Sequence, residues 1–169
     1  TNVANIVATS GTQVVAIANT VTAGAAAVTA VNGVINGAVG VTDVNAASTT
    51  AAGVITTASL NDYGNSTINS GALTTVNLSG ASGTLGITTG ALTTAAVTTL
   101  GLNLNGLSGI TAAANAITVD ADITTLNIGS STAASTVANI TATGATTVNV
   151  TGDALLTLTA NTFAAATAI

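Results

Sequence analysis

The sequence predicts an all-β protein that folds as a parallel β-solenoid with coils of about 22–26 residues. A short unit recurs along the chain, namely Thr-Thr followed by an apolar residue, Asn and a second apolar residue. The Thr-Thr pairs begin at residues 74, 98, 124 and 146, and the copy at 98–106 is stretched relative to the other three. A strand repeated at such a period is typical of stacked-coil proteins, in which each repeat forms one turn of the stack.

The pattern within each copy predicts a strand with one apolar and one polar face. Val76 and Leu78 point to one side while Thr75 and Asn77 point to the other, because successive side chains of a strand alternate. The other copies repeat this alternation with Leu100, Leu102 and Leu104, with Leu126 and Ile128, and with Val148 and Val150.

The asparagines of the four copies occupy equivalent places on the polar faces. In adjacent coils they are expected either to stack as an amide ladder or to stay solvated on an outward face. The residues concerned are Asn77, Asn103, Asn127 and Asn149.

Glycines between the copies predict the corners at which the chain changes direction. Gly80, Gly106 and Gly152 follow strands, and glycine readily supplies the positive φ that a tight corner needs. An antiparallel β-sandwich is the alternative fold, since it also combines short strands with glycine turns. Sandwiches seldom repeat one strand at a near-fixed longer period, so the solenoid is preferred. Little helix is expected, because Thr, Val and Gly interrupt the alanine-rich stretches.

The composition and the repeat pattern of the chain change near residue 64. Residues 1–64 are predicted to be an irregular Ala/Val/Gly-rich β segment that forms the first coils, and residues 65–169 to carry the regular solenoid repeats. The most apolar window, 21–41, contains Asn32, Asn36 and internal glycines and has no flanking positive charge. Buried β structure accounts for this window better than a membrane-spanning helix does.

The composition excludes several classes of function. The chain has no Lys, Arg, His, Cys, Pro, Met or Trp, and its formal net charge of −5 comes from five aspartates. Nucleic-acid binding and basic membrane-surface patches depend on Lys and Arg. Zinc sites, Ser-His-Asp triads and cysteine nucleophiles depend on His or Cys. We therefore expect that the protein is not an enzyme and binds no nucleic acid.

Asp120 and Asp122 are the one close acidic pair in the sequence. In an extended strand their side chains would share a face and could bind Ca²⁺ together with neighbouring carbonyls. Calcium requires about six to eight oxygen ligands, so a solvated turn or strand edge is the favoured interpretation of this pair.

Eight segments of the chain carry a resemblance to a known family, namely 41–43, 70–80, 85–87, 90–93, 102–107, 124–128, 130–136 and 145–154. In order and spacing, over some three-quarters of the chain, they resemble bacterial surface-layer proteins of the Caulobacter type, which are related to RTX proteins.

The resemblance implies type I secretion and a two-dimensional coat on the bacterial cell surface. It also implies that the partners are copies of the same chain, that calcium holds the coat together, and that the coat is anchored to lipopolysaccharide. The anchoring part and the C-terminal export signal of the family are not evident in these residues. The Gly-Gly-x-Gly-x-Asp calcium repeat of RTX proteins is also missing from them, so a calcium site here is in doubt.

The expected function is that of an extracellular structural protein that self-assembles into a surface layer or a surface filament. The alternative is a threonine-rich β-solenoid that binds ice or another surface, or an adhesin module. Threonine triplets of the Thr-x-Thr form occur at 141–143 and 157–159. A polysaccharide-degrading solenoid ranks last, because Tyr63 and Phe163 are the only aromatic residues and there are no basic ones.

Overall fold

The strands of this protein run in one direction along two facing sheets. The computed structural model describes residues 3–8, 14–18, 38–43, 45–92, 97–109 and 115–163. No helix occurs within these ranges, as the composition predicts, and none of them forms a helix that is long and apolar enough to cross a membrane. Most of the apolar window 21–41 lies outside the described residues. The strands are β1 Val3–Ala8, β2 Val14–Ala18, β3 Ala38–Asp43, β4 Thr57–Tyr63, β5 Ser66–Asn69, β6 Thr75–Ser82, β7 Leu85–Thr88, β8 Thr99–Gly109, β9 Ala116–Val119, β10 Thr125–Ser130, β11 Ser135–Thr141, β12 Thr147–Gly152 and β13 Leu156–Thr162.

Successive strands alternate between the two sheets, which is the topology of a β-solenoid. Sheet A has the order β1-β3-β5-β7-β9-β11-β13, and sheet B has the order β2-β4-β6-β8-β10-β12. Every strand pair is parallel. The predicted parallel solenoid is therefore confirmed, and the antiparallel sandwich is not the fold.

Both halves of the sequence contribute to the same two sheets. The irregular segment before residue 64 supplies β1 to β4, and β4 pairs with β6 through Ser59 opposite Asn77. The recurrent Thr-Thr units form only strands of sheet B, namely β6, β8, β10 and β12. The strands of sheet A carry no common sequence unit.

The core is a thin layer of aliphatic side chains between the sheets. In sheet B the buried positions form columns through successive coils, such as Val76, Leu102 and Ile128. Sheet A closes the layer with residues such as Ile87 and Ile117. Each buried leucine or isoleucine contributes about 1.5–3 kcal/mol relative to an exposed one, so the stability of a coil depends on a few such residues.

The stretched repeat in β8 meets its two neighbours in two different registers. Against β6, Gly101 lies opposite Thr75, whereas against β10 it lies opposite Asn127. The Thr-Thr pair of β8 is thus aligned with the pair of β10 and displaced by two residues from that of β6. A displacement of two residues keeps every side chain on its own face, because the strand repeats every second residue.

Residues of positive φ form bends within or at the end of the strands of sheet B. Gly80, Gly106 and Gly152 have φ of 73°, 63° and 134°, so these glycines supply positive φ as predicted. Gly80 and Gly106 lie inside β6 and β8 and Gly152 ends β12, so the bends interrupt the strands, which continue past the predicted corners. Asp62 has φ of 50°, and its Oδ1 accepts a hydrogen bond of 2.8 Å from Ala81 N in the next coil. The corners therefore stack in register, and side chains as well as glycines stabilise them.

Tyr63 is the one aromatic residue in the fully buried core of the described chain, where its exposed fraction is 0%. Its hydroxyl has no hydrogen-bond partner. Burial raises the pKa of Tyr63 well above its ordinary value, and the nearby Ser82 hydroxyl opposes part of this rise. The Ser82 hydroxyl donates its own hydrogen bond to the Ser108 carbonyl, at 3.1 Å. The ring thus provides apolar packing while the hydroxyl costs desolvation energy.

We expect Tyr63→Phe to leave the free energy of unfolding unchanged or to raise it by up to about 1 kcal/mol, since a buried hydroxyl without a partner is removed. Tyr63→Ala, which removes the ring as well, is expected to cost about 3–5 kcal/mol. Urea unfolding followed by circular dichroism measures both values. A clear loss of stability in Tyr63→Phe would show that the hydroxyl has a bonding partner in solution.

Candidate assembly surfaces and polar clusters

The outer face of sheet B carries the four predicted asparagines as two separate pairs. Asn103 Nδ2 donates to Asn77 Oδ1 at 2.9 Å, and Asn149 Nδ2 donates to Asn127 Oδ1 at 2.8 Å. Asn103 and Asn127 are not neighbours, because Asn103 lies opposite Gly129. The two-residue displacement in β8 therefore replaces the expected single ladder by two short ones.

Gly101 lies in β8 between the two asparagine pairs, where there is room for a side chain that would extend the pair of Asn127 and Asn149. It is opposite Asn127, its φ is not in the left-handed region, and a Cβ at this position would come no closer than 3.6 Å to another atom. We expect Gly101→Asn to raise the free energy of unfolding by about 1–2 kcal/mol, partly through an added amide bond and partly through reduced chain entropy. Gly101→Ala, the matched control, changes the entropy alone, so thermal unfolding of both variants separates the two contributions. Equal stability of the two variants would show that the added amide makes no hydrogen bond.

The first threonine of three Thr-Thr pairs bonds to the backbone of the preceding coil. Thr74 Oγ1 donates to Thr56 O at 3.1 Å, and Thr146 Oγ1 donates to Thr124 O at 3.1 Å. Thr124 Oγ1 makes a longer bond of 3.4 Å to Thr98 O. The recurrence of threonine at this position thus has a structural reason, since its hydroxyl joins one coil to the next.

The outer face of sheet A presents a column of threonines in register. Thr67 lies opposite Gly86, which lies opposite Thr118, and this column continues through Thr141 to Thr162. Thr67, Thr118 and Thr162 are exposed, and Thr141 is half-buried. The column is one threonine wide, with strands about 4.8 Å apart, and Gly86 interrupts it.

The acidic pair lies in a turn, and both carboxylates bind the same threonine of the neighbouring coil. Asp120 Oδ2 accepts a bond from Thr89 N at 3.0 Å, and Asp122 Oδ2 accepts one from Thr89 Oγ1 at 3.1 Å. Asp120 Oδ1 also accepts the backbone N–H of Asp122 at 3.1 Å, which closes the turn. The structure therefore brings the two carboxylates together around Thr89, a buried residue that no sequence pattern indicated. Among the described residues no group of three or more His, Cys, Asp or Glu side chains is placed to hold a metal ion.

A second carboxylate, Asp43, is buried at the end of β3 with an exposed fraction of 2%. Its Oδ1 accepts the N–H of Asn45 at 2.9 Å, and its Oδ2 accepts the N–H groups of Val54 and Ile55 at 2.6 and 2.7 Å. The Ser70 hydroxyl lies 2.8 Å from the same Oδ2. Burial alone raises the pKa of this carboxyl, but the bonds from Asn45, Ile55, Val54 and Ser70 outweigh it and hold the pKa below its ordinary value. Asp43 thus acts as a buried anion that ties three chain segments together.

β12 and β13 are the last described strands of the two sheets, and exposed apolar side chains lie beside them. β12 pairs with β10 and β13 with β11. Val150 and Leu155 are 49% and 72% exposed, and they are the exposed large hydrophobic residues of the described chain. Leu156 and Leu158 of β13 are half-buried.

No protein-family model matches this sequence, and no curated protein is significantly similar to it. The fold and the polar faces described above therefore carry the functional argument.

Proposed function

We propose that this chain is an extracellular structural protein that self-assembles into a surface layer or a surface filament. The observation that carries the proposal is the outer face of sheet B, where the outward side chains of β6, β8, β10 and β12 are Thr, Ser and Asn with no charge among them.

The outer faces also favour close packing between copies. They present Thr, Asn and Ser side chains, and the chain has no positive charge and five negative charges in all. All five carboxylates accept hydrogen bonds from the chain itself. Charge repulsion between neighbouring copies is therefore small, and hydroxyl and amide groups remain to form lateral hydrogen bonds.

The resemblance of eight segments to surface-layer proteins adds a location and a set of partners. It supports secretion to a bacterial cell surface and assembly with copies of the same chain. It also supports calcium as the ion that holds the assembly together and lipopolysaccharide as the anchor. The composition, without His, Cys, Lys or Arg, supports a role that is structural rather than catalytic.

Concentration-dependent assembly of the purified 169-residue chain tests this proposal. We expect ordered sheets or filaments in electron micrographs as protein concentration rises, with light scattering increasing in parallel. Runs with and without calcium at about 1 mM, where extracellular calcium modules bind, show whether the ion contributes. Monodisperse monomers under all of these conditions would contradict the proposal.

A second candidate function is binding of ice or another ordered surface, which the threonine column on sheet A favours. Thr118, Thr141 and Thr162 are consecutive members of that column, and Thr157 and Thr159 are exposed on its last strand. A thermal-hysteresis assay tests it, with Thr118→Tyr as the variant that disturbs the column. Absence of hysteresis in the unaltered protein would eliminate ice as the ligand.

A further inference from the structure

We propose that Asn65 is an acceptor site for an N-linked sugar. The substrate class is a sugar activated as a diphosphate ester, carried either on a nucleotide or on a lipid. The motif Asn-x-Ser/Thr, with any residue except Pro in the middle, is the acceptor sequence for this modification and belongs on surface loops of secreted proteins. The site agrees with the extracellular role proposed above, but it does not depend on self-assembly.

The motif occurs four times in the sequence, and the fold places the four asparagines in different surroundings. The four copies are residues 65–67, 77–79, 139–141 and 149–151. Three of the asparagines lie within strands, namely Asn77 in β6, Asn139 in β11 and Asn149 in β12. Asn65 is the one that lies between strands, at the corner from β4 to β5. A bulky group on Asn65 therefore leaves the surfaces of both sheets uncovered.

The three asparagines within strands use their amides to join neighbouring coils or are partly enclosed. Asn77 Nδ2 donates to Ser59 Oγ at 2.9 Å, and Asn149 Nδ2 donates to Asn127 Oδ1 at 2.8 Å. Asn139 is half-buried, and its Oδ1 is enclosed. Attachment of a sugar to any of these nitrogens requires a bond between coils to break or a half-buried side chain to move outward.

The amide of Asn65 is held by its oxygen, which leaves its nitrogen accessible. Asn65 is exposed, and its Oδ1 accepts a hydrogen bond from Thr84 N in the next coil at 3.0 Å. Because a backbone N–H can only donate, the oxygen must face Thr84, and Nδ2 lies on the other side of the amide. Nδ2 donates no hydrogen bond within the described chain. Gly83 lies against the same amide, where a Cβ would come within 2.8 Å of Oδ1, so no side chain of this neighbour shields it.

The hydroxyl that completes the motif lies on the same face as the amide. Thr67 is exposed like Asn65, whereas Ser66 between them is 4% exposed. This is the alternation of an extended segment, in which residues two apart point to one side. Opposite Thr67 in the next coil is Gly86, which adds no side chain. The amide and the hydroxyl are therefore accessible together.

The transfer reaction is compatible with this arrangement. A bond forms between Asn65 Nδ2 and the anomeric carbon of the sugar, and the bond from that carbon to the diphosphate oxygen breaks. The diphosphate leaves with the bonding electrons, and Nδ2 loses one proton to a base of the transferring enzyme. No oxidant or reductant takes part. Since the sugar is attached through Nδ2, Oδ1 keeps its bond to Thr84 N, and the corner is preserved in the modified protein.

Enzymatic transfer to the purified, folded chain tests the site. One reaction uses a nucleotide-activated hexose and a second uses a lipid-linked oligosaccharide, each with a transferase that recognises the Asn-x-Ser/Thr motif. Intact mass spectrometry counts the sugars on each chain, and fragmentation locates them. We expect one sugar per chain, on Asn65, and the reaction that supplies it identifies the carrier. A folded chain that carries no sugar in either reaction, or carries it on another asparagine in place of Asn65, would overturn the inference.

Variants at the motif separate the site from the rest of the chain. Asn65→Gln and Thr67→Val are expected to lose the modification completely, and Thr67→Ser is expected to retain it. Asn149→Gln is the matched control, because it alters an exposed asparagine of the same motif, and it is expected to be modified like the unaltered protein. Circular dichroism establishes that each variant is folded. Modification that persists in folded Asn65→Gln would contradict the assignment.

The chain isolated from its own cells provides the second measurement. We expect its mass to exceed that of the 169-residue sequence by one sugar or oligosaccharide on Asn65. An unmodified Asn65 in that material would overturn the inference. The readout is a mass rather than an assembled state, so failure of this site leaves the proposed self-assembly standing, and a chain that stays monomeric can still carry the sugar.

Discussion

Asp43→Ala is expected to lower the free energy of unfolding by about 3–5 kcal/mol, since it leaves several buried donors without an acceptor. The N–H groups of Val54 and Ile55 bond to one carboxylate oxygen at 2.6 and 2.7 Å, and no other acceptor is supplied for them. Ser70, from the next coil, loses its bond to the same oxygen. Urea unfolding gives the difference. Asp153→Ala removes the same charge at an exposed position and is expected to change stability by less than about 0.5 kcal/mol.

The same carboxylate gives the protein a predictable response to acid. The pKa of Asp43 is lower in the folded chain than its ordinary value of 3.8, so the folded state favours the ionised form. Its stabilising contribution is complete above about pH 4 and is lost as the pH falls through the folded-state pKa. Unfolding measured from pH 6 to pH 2 is expected to show this loss in the unaltered protein and a flatter profile in Asp43→Asn. Parallel profiles would show that other carboxylates dominate the acid response.

Gly144→Ala is expected to destabilise the protein by about 3 kcal/mol, because the backbones of two coils are in close contact at this corner. A Cβ at residue 144 would lie 1.8 Å from the carbonyl oxygen of Ala121 in the preceding coil and 2.6 Å from its carbonyl carbon. These are backbone atoms, so the clash is relieved only if the turns before β10 and β12 move apart.

Gly86→Ala is the matched control for this prediction. Gly86 also belongs to the stack, but a Cβ there would meet only Thr67 Cγ2, at 3.8 Å. Alanine at this position is expected to raise stability by about 0.5–1 kcal/mol through reduced entropy of the unfolded chain. Thermal unfolding of both variants compares them directly. If Gly144→Ala unfolds at the same temperature as the unaltered protein, the corner is looser than the structure indicates.

The strands of sheet B could be predicted from the sequence, and those of sheet A could not. In sheet B the alternation of Val76, Asn77 and Leu78 is repeated in three further copies, so both the strand and its inward face are evident. A strand of sheet A such as Leu85–Thr88 has only two inward residues, Leu85 and Ile87, which is too short for a period to be detected. Before residue 64, β1 to β3 lack the Thr-Thr unit, and the Thr56-Thr57 pair at β4 aligns with that of β6 but is followed by Ser59 where the later copies have Asn.

The polar clusters escaped prediction because their members are far apart in the sequence. Asp43 bonds to Ser70 across 27 residues, and Thr89 bonds to Asp122 across 33 residues. Such contacts depend on the length of each coil, which varies along the chain. The expected asparagine ladder is divided into two hydrogen-bonded pairs for a related reason, since equivalent places in a repeat are adjacent only if the register is constant. The stretched copy in β8 shows that it is not.

The two registers of β8 divide the solenoid into two blocks whose surface patterns are out of phase. A displacement of two residues corresponds to about 6.6 Å along the strand, so the outer polar pattern shifts at β8 while the buried columns continue unchanged. A rigid periodic ligand that fits the asparagines of one block misses those of the other. The outer face of sheet B therefore consists of two short periodic surfaces, one on each side of the register change. An insertion of an even number of residues can shift one surface relative to the other without exposing a buried side chain.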